Sequence, residues 1–137
     1  MSFVLDGSAT LAWCMEDERT PALIRLLQQV TERGAMVPAI WRLEVASGLR
    51  NAVKRGRIDA AERPIMLAQL GLMNISTDSE TDRYAWTTTQ RLAERFDLTP
   101  YDASYLELAQ RLSLPLATLD KALRAAAKGA GVDLVTL

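Results

Sequence analysis

Four acids, Asp6, Glu44, Asp102 and Asp120, are the residues of this 137-residue chain whose types and surroundings best suit chemistry. Asp6 ends the short apolar run Phe3-Val4-Leu5, and Asp120 follows a second run, Leu116-Ala117-Thr118-Leu119. Glu44 lies near the start of a helical pattern, three residues after Trp41 and four before Gly48, at the border of an apolar stripe. Asp102 opens the pattern after Pro100 and shares a stripe with Tyr105, Ala109 and Leu112, which puts it on the core side of its helix. No Lys or Arg stands three or four residues from Glu44 or Asp102, whereas Asp120 has Arg124 at that spacing. Inward carboxylates about 4–5 Å apart repel by roughly 3–4 kcal/mol per pair at an effective dielectric near 20, so protonation or a bound cation must relieve them.

The rest of the composition narrows which cation and which reaction. There is no His, which removes the commonest general base and every imidazole-based zinc site, and the single Cys14, set among Ala12, Trp13 and Met15, reads as a small buried hydrophobe. Oxygen-only ligands select hard ions, Mg²⁺ or Mn²⁺. A carboxylate-held Mg²⁺ that keeps several waters can activate one of them and stabilise a phosphate oxygen, which suits phosphodiester hydrolysis without a protein base. Ser8 and Thr118, each two residues from an acid, are placed to orient carboxylates or metal waters. Each of these residues also has an ordinary structural role: Asp6, Asp120, Ser8 and Thr118 are good helix caps, and Thr99-Pro100-Tyr101-Asp102 resembles a capping box with Asp in place of Glu.

The elements that must position these groups follow from periodicity. Strands are expected at Ser2–Asp6, Ala35–Pro38, Asn74–Thr77, Leu114–Thr118 and Asp133–Leu137, each too brief for a helix and bounded by turn or cap residues. Between them lie helical patterns at Ser8–Met15, Pro21–Arg33, Ile40–Arg55, Ala60–Leu72, Glu80–Phe96, Pro100–Leu112 and Lys121–Lys128. This alternation predicts an α/β fold: a three-layer α/β/α domain with a central, mainly parallel sheet of about four to five strands, spanning 1–137 as one domain. In such sheets the functional crevice lies beyond the carboxyl ends of the strands, where Asp6 and Asp120 fall. With a net charge of −1 there is no overall pull toward nucleic acid, and no run is long and apolar enough to span a bilayer, so a cytoplasmic protein with no membrane association is expected.

In its motifs the chain resembles the PIN-domain nucleases, and within them the toxin component of VapBC toxin–antitoxin systems. The carriers are Phe3-Val4-Leu5-Asp6-Gly7-Ser8, Glu44 within Pro38-Ala39-Ile40-Trp41-Arg42-Leu43-Glu44-Val45, Leu98-Thr99-Pro100-Tyr101-Asp102-Ala103-Ser104-Tyr105-Leu106, and Leu116-Ala117-Thr118-Leu119-Asp120, with order and spacing in agreement over nearly the whole length. The resemblance implies a PIN-like fold and a metal-dependent endoribonuclease, with Asp6, Glu44, Asp102 and Asp120 as the acidic cluster and Ser8 and Thr118 as its supporting polar positions. It also implies a homodimer and neutralisation by a small cognate VapB-type antitoxin.

Arg50, Lys54, Arg55, Arg57 and Arg63 gather positive charge on or just past the helix carrying Glu44, and Lys121 adjoins Asp120. Arg50, Lys54, Arg55 and Lys121 are candidate contacts for RNA phosphates, with a solvated, cation-rich helix end as the plain alternative. Trp13, Trp41 and Trp86 are read as packing or interface residues, and Met66, Leu67, Leu70 and Met73 as a helical stripe that is first a core face and second an antitoxin groove. Neither G-x-x-x-x-G-K-[ST] nor a strand-linked G-x-G-x-x-G occurs. Two other functions compete with the nuclease: a phosphoryl-transfer or receiver-like domain with Asp6 as phosphoacceptor, which needs no helical carboxylate such as Glu44, and a non-catalytic module that binds RNA or a protein partner.

Overall fold

A computed structural model describes residues 2–137. Four short strands, β1 (Phe3–Leu5), β2 (Ala35–Val37), β3 (Ile75–Thr77) and β4 (Leu116–Ala117), form a parallel sheet in the order β3-β2-β1-β4. The central strand is apolar at every position and wholly buried, as a parallel strand covered on both faces must be. Helices are α1 (Gly7–Cys14), α2 (Pro21–Arg33), α3 (Trp41–Lys54), α4 (Glu62–Gly71), α5 (Thr81–Tyr84), α6 (Thr88–Phe96), α7 (Pro100–Leu112) and α8 (Lys121–Gly129), with a 3₁₀ turn at Glu16–Glu18. One group, α1 to α4, packs in sequence with α1 against α2 and α3; in the other, α5, α6 and α8 gather on α7, which lies against β1 and β4. The expected α/β architecture, a parallel sheet flanked by helices, is the one observed.

Local chemistry sets the helix starts. Asp6, Thr20, Thr99 and Asp120 each accept a backbone N–H of the following helix, and Pro21 and Pro100 occupy first-turn positions where no donor is needed. The fully buried Leu106 and Leu108 of α7, with Val4 and Leu5 of β1, anchor the core; truncating such a Leu to Ala costs roughly 2–5 kcal/mol. Gly48 lets α3 approach α1, because a Cβ there would collide with the Leu11 side chain.

Three expectations change. The run Asp133–Leu137 does not form a strand: it contributes a single parallel bridge, Leu134 with Leu116, flanked by Leu116 N to Asp133 O and Val135 N to Leu116 O at 2.8 and 2.9 Å. Its neighbour β4 has only two residues, so there is little ladder to join. The helix expected over Glu80–Phe96 is broken, because Thr87 leaves helical geometry (φ −118°, ψ −96°) at the start of the β-branched run Thr87-Thr88-Thr89. Trp86 sits in that break and is 90% exposed rather than packed in the core, while Trp41 is buried and Trp13 is half-buried beneath Arg19.

Candidate active site

The parallel register places Leu5 beside Ala117, so the residues leaving the two strands, Asp6 and Thr118, meet at the carboxyl edge of the sheet. Asp6 is buried and richly bonded. One carboxylate oxygen accepts Ala9 N at 2.9 Å, Ser8 Oγ lies 2.8 and 2.9 Å from the two oxygens, and Thr118 Oγ1 donates to Oδ2. Both hydroxyls have their own donors behind them: Leu119 N donates to Ser8 Oγ and Asp120 N to Thr118 Oγ1, each at 3.0 Å. With an N–H occupying one side of each hydroxyl, its proton is directed at Asp6. Burial nonetheless raises the Asp6 carboxyl above its ordinary range, against the lowering by Ala9 N–H, Thr118 and Ser8, and Asp120 adds to the rise.

The other acids reach this edge from three more helix N-termini. Asp120 caps α8 through Leu123 N at 2.8 Å, Asp102 stands in the first turn of α7 with its N–H on Thr99 Oγ1, and Glu44 stands in the first turn of α3. Helix N-termini favour negative charge, which partly offsets gathering carboxylates in one place. Helix α3 is locked to α1 through Trp41, whose indole N–H donates to Thr10 Oγ1 at 3.1 Å, while that hydroxyl donates to Asp6 O at 2.8 Å. Burial pushes the half-buried Glu44 carboxyl up to about 7, with Asp102 and then Asp6 as the neighbouring charges that add to the rise and Tyr105 as a modest counterweight. Asp102 is raised too, first by burial and then by Asp120. Glu44 Oε1 is buried and has no hydrogen-bond partner.

Electrostatics therefore couples all four acids, but among the described residues no three Asp, Glu or Cys side chains close on one point tightly enough to clasp an ion by themselves. Nor does any Lys or Arg pair with one of them among the described residues; Arg124, expected beside Asp120, instead donates to Thr118 O at 3.0 Å. The donor set fits Mg²⁺ or Mn²⁺: it is oxygen only, it leaves a buried carboxylate oxygen unpartnered, and Mg²⁺ is ordinarily held by one or two carboxylates with waters and substrate oxygens completing its shell.

The basic candidates sit apart. Arg50, Lys54 and Arg55 are exposed, six to eleven residues beyond Glu44, which at 1.5 Å per residue is about 9–17 Å along the axis of α3. Arg57 is engaged elsewhere, pairing with Asp17 at 3.0 Å and Glu18 at 2.9 Å. Lys121 is exposed beside Asp120. The stripe Met66, Leu67, Leu70 and Met73 is only partly core: Leu70 is buried, Met66 and Met73 are half-buried, and Leu67 is 39% exposed. Leu67, Leu70 and Met73 line a groove of about 270 Å³ with Trp41, Val45 and Ile75, and none of the four acids borders it.

The sequence and the fold both have known relatives. A family model described as PIN domain matches residues 3–129. The chain is 30% identical to the ribonuclease VapC3 of Pyrobaculum aerophilum over 127 residues, covering 90% of this chain and 92% of that protein. It is 33% identical to the ribonuclease VapC9 of Mycobacterium tuberculosis over 118 residues, covering 85% and 84%. Among solved structures, PAE2754 from Pyrobaculum aerophilum superposes with a TM-score of 0.69 at 26% identity, over 98% of this chain and 90% of the other. FitAcB from Neisseria gonorrhoeae shares the fold at a TM-score of 0.63 and 16% identity, over 99% and 97%. With the family match running through the strand ends and helix starts that carry all four acids, the chain belongs to the PIN-domain family of VapC ribonucleases.

Proposed function

We propose that this protein is a Mg²⁺-dependent endoribonuclease, with Mn²⁺ as a possible substitute, that acts as the toxin of a type II toxin–antitoxin module by hydrolysing RNA phosphodiester bonds. The observation that carries the reading is Glu44: a half-buried carboxylate with one buried, unpartnered oxygen, raised first by burial and then by Asp102 and Asp6, and without a paired cationic side chain among the described residues. Asp6, Glu44, Asp102 and Asp120 are the residues that would hold the ion. A divalent cation bound there supplies positive charge to the phosphate oxygens and lowers the pKa of water.

The protein's own part is positioning. Ser8 and Thr118 hold the Asp6 carboxylate in one orientation, and the helix starts of α1, α3, α7 and α8 favour anions, the RNA phosphate included. Burial and the neighbouring acids favour the protonated form of Glu44, and a cation held there would favour the ionised one. Arg50, Lys54, Arg55 and Lys121 contact flanking RNA phosphates in this reading. RNA as substrate is supported by the VapC ribonuclease relatives. The same kinship supports a small cognate VapB-type antitoxin, homodimer formation and a cytoplasmic place of action, close to cellular RNA.

The test is cleavage of end-labelled total RNA by antitoxin-free protein with Mg²⁺, with Mn²⁺ and with chelator, beside Asp102→Asn prepared identically. Fragments that need the metal and vanish in the variant support the nuclease. RNA bound but left whole by the parent under every metal condition overturns it in favour of a non-catalytic binding module.

A further inference from the structure

Tyr105 is the largest side chain of the core that is almost fully buried, at 1% exposed, and its hydroxyl has no hydrogen-bond partner. A Phe would pack the same space without that hydroxyl, and a buried hydroxyl left unpaired costs about 1–3 kcal/mol. Among the described residues the other unpartnered buried side-chain oxygen is Glu44 Oε1, and the Glu44 carboxylate neighbours the Tyr105 phenol. Gly7 fixes the proximity: a Cβ on Gly7 would stand 3.1 Å from Glu44 Oε2 and 3.8 Å from the Tyr105 hydroxyl, so the backbone at the start of α1 forms one wall of a small space shared by both groups. Tyr105 follows Asp102 by three residues on α7 and therefore shares its face. An ionised carboxylate offers only acceptors, whereas a phenol has a proton to give, and burial among the acids holds the Tyr105 phenol firmly protonated.

We propose that Tyr105 is a positioning residue for the cation site: its O–H donates to the Glu44 carboxylate and fixes the orientation in which that carboxylate ligates, and Gly7 keeps open the space in which the two meet. The proposal rests on the metal-dependent reading above and adds a specific donor to it. An unpaired O–H beside a carboxylate with an unpartnered oxygen supplies the donor that the carboxylate lacks, and such a bond to an ionised group is charge-assisted. Such a donor acts on metal affinity while leaving core packing alone.

The experiment is Mn²⁺ titration, by calorimetry or by the free-ion electron paramagnetic resonance signal, on the full chain, on Tyr105→Phe and on Gly7→Ala, with melting curves of each protein in chelator. Tyr105→Phe is expected to weaken Mn²⁺ binding about five- to tenfold with an unchanged or raised metal-free melting temperature, since it removes only an unpaired hydroxyl. Gly7→Ala, which displaces Glu44 from the other side, is expected to weaken binding at least as much. Should Tyr105→Phe misfold, Gly7→Ala carries the test alone. Equal Mn²⁺ affinity in the parent and either folded variant overturns the proposal and leaves the nuclease reading intact; a parent that binds no Mn²⁺ overturns both.

Discussion

One hydroxyl joins two of the acids: Thr118 Oγ1 accepts Asp120 N at 3.0 Å and donates its proton to Asp6 Oδ2. The carboxylate that ends β1 and the residue that opens α8 are thereby held in a fixed relation. Thr118→Val keeps the shape but removes both halves of this link, leaving Asp120 N–H without its partner and Asp6 with one donor fewer. We expect a loss of about 1–3 kcal/mol in urea unfolding. The Asp6 carboxyl should rise further and RNA cleavage fall; unfolding free energy and cleavage equal to the parent's contradict the account.

Asp102→Asn is expected to behave in the opposite sense for stability. It removes a charge that faces Glu44 and Asp120 without opening a cavity, so the metal-free protein should unfold at the same or higher urea concentration at pH 7.5. Metal-dependent cleavage should nevertheless collapse. A variant that cuts RNA at the parental rate removes Asp102 from the site.

The raised carboxyls also set a pH dependence. Glu44 titrates near 4.5 when unfolded and near 7 when folded, so between those values the folded state binds more protons and its stability falls as pH rises, levelling off above about pH 7. Allowing for partial exposure of the group, the fall is roughly 1–3 kcal/mol. Asp6 and Asp102, also raised, act in the same direction from lower pH, whereas Asp78, lowered by Arg111, contributes stability that disappears only as pH drops below the ordinary carboxylate range. In chelator, the parent should therefore melt higher at pH 5 than at pH 7.5, and Glu44→Gln should flatten most of that difference. Mg²⁺ should raise the melting temperature more at pH 7.5 than at pH 5. A parent whose melting temperature climbs from pH 5 to 7.5 in chelator refutes the assignment of Glu44 as a strained carboxylate.

What could be read in the sequence was governed by how local the signal is. Asp6, Ser8, Thr118 and Asp120 lie at strand ends and helix starts, so short-range patterns place them correctly at one edge. Glu44 stood out because its helix offers no cation at i±3 or i±4, and the structure leaves its oxygen unpartnered. The Arg124–Asp120 pairing failed on the same rule, since i+4 spacing states which groups can meet, and Thr118 O is the better-placed acceptor. Trp86 lies outside the core because no single periodic helix runs across Thr87-Thr88-Thr89, which leaves only the interface half of its packing-or-interface reading. Periodicity registers Tyr105 as an aromatic of the core stripe and says nothing of its hydroxyl. Asp78 and Arg111, 33 residues apart, meet only through tertiary packing.

Arg111 uses all three guanidinium nitrogens: Nε donates to Glu107 at 2.9 and 3.1 Å, Nη1 and Nη2 donate to the two Asp78 oxygens at 3.2 and 2.7 Å, and its Cζ lies 4.7 Å from the Tyr84 ring centre. Asp78 and Glu107 are both buried, and Asp78 accepts also from Thr81, so the cluster ties the residue after β3, the start of α5 and the last turn of α7. Arg111→Met strands two buried carboxylates and should cost about 3–5 kcal/mol, a fall in melting temperature of roughly 10 °C or more. Arg111→Lys separates charge from shape: one ammonium cannot reproduce the fork, so an intermediate loss is expected. Because none of the four acids touches this cluster, both variants should cut RNA at the parental rate per folded molecule at low temperature. Equal stability of parent and Arg111→Met shows that the buried cluster does not tie these elements together, while a cleavage defect in fully folded Arg111→Lys extends its influence to the acidic edge.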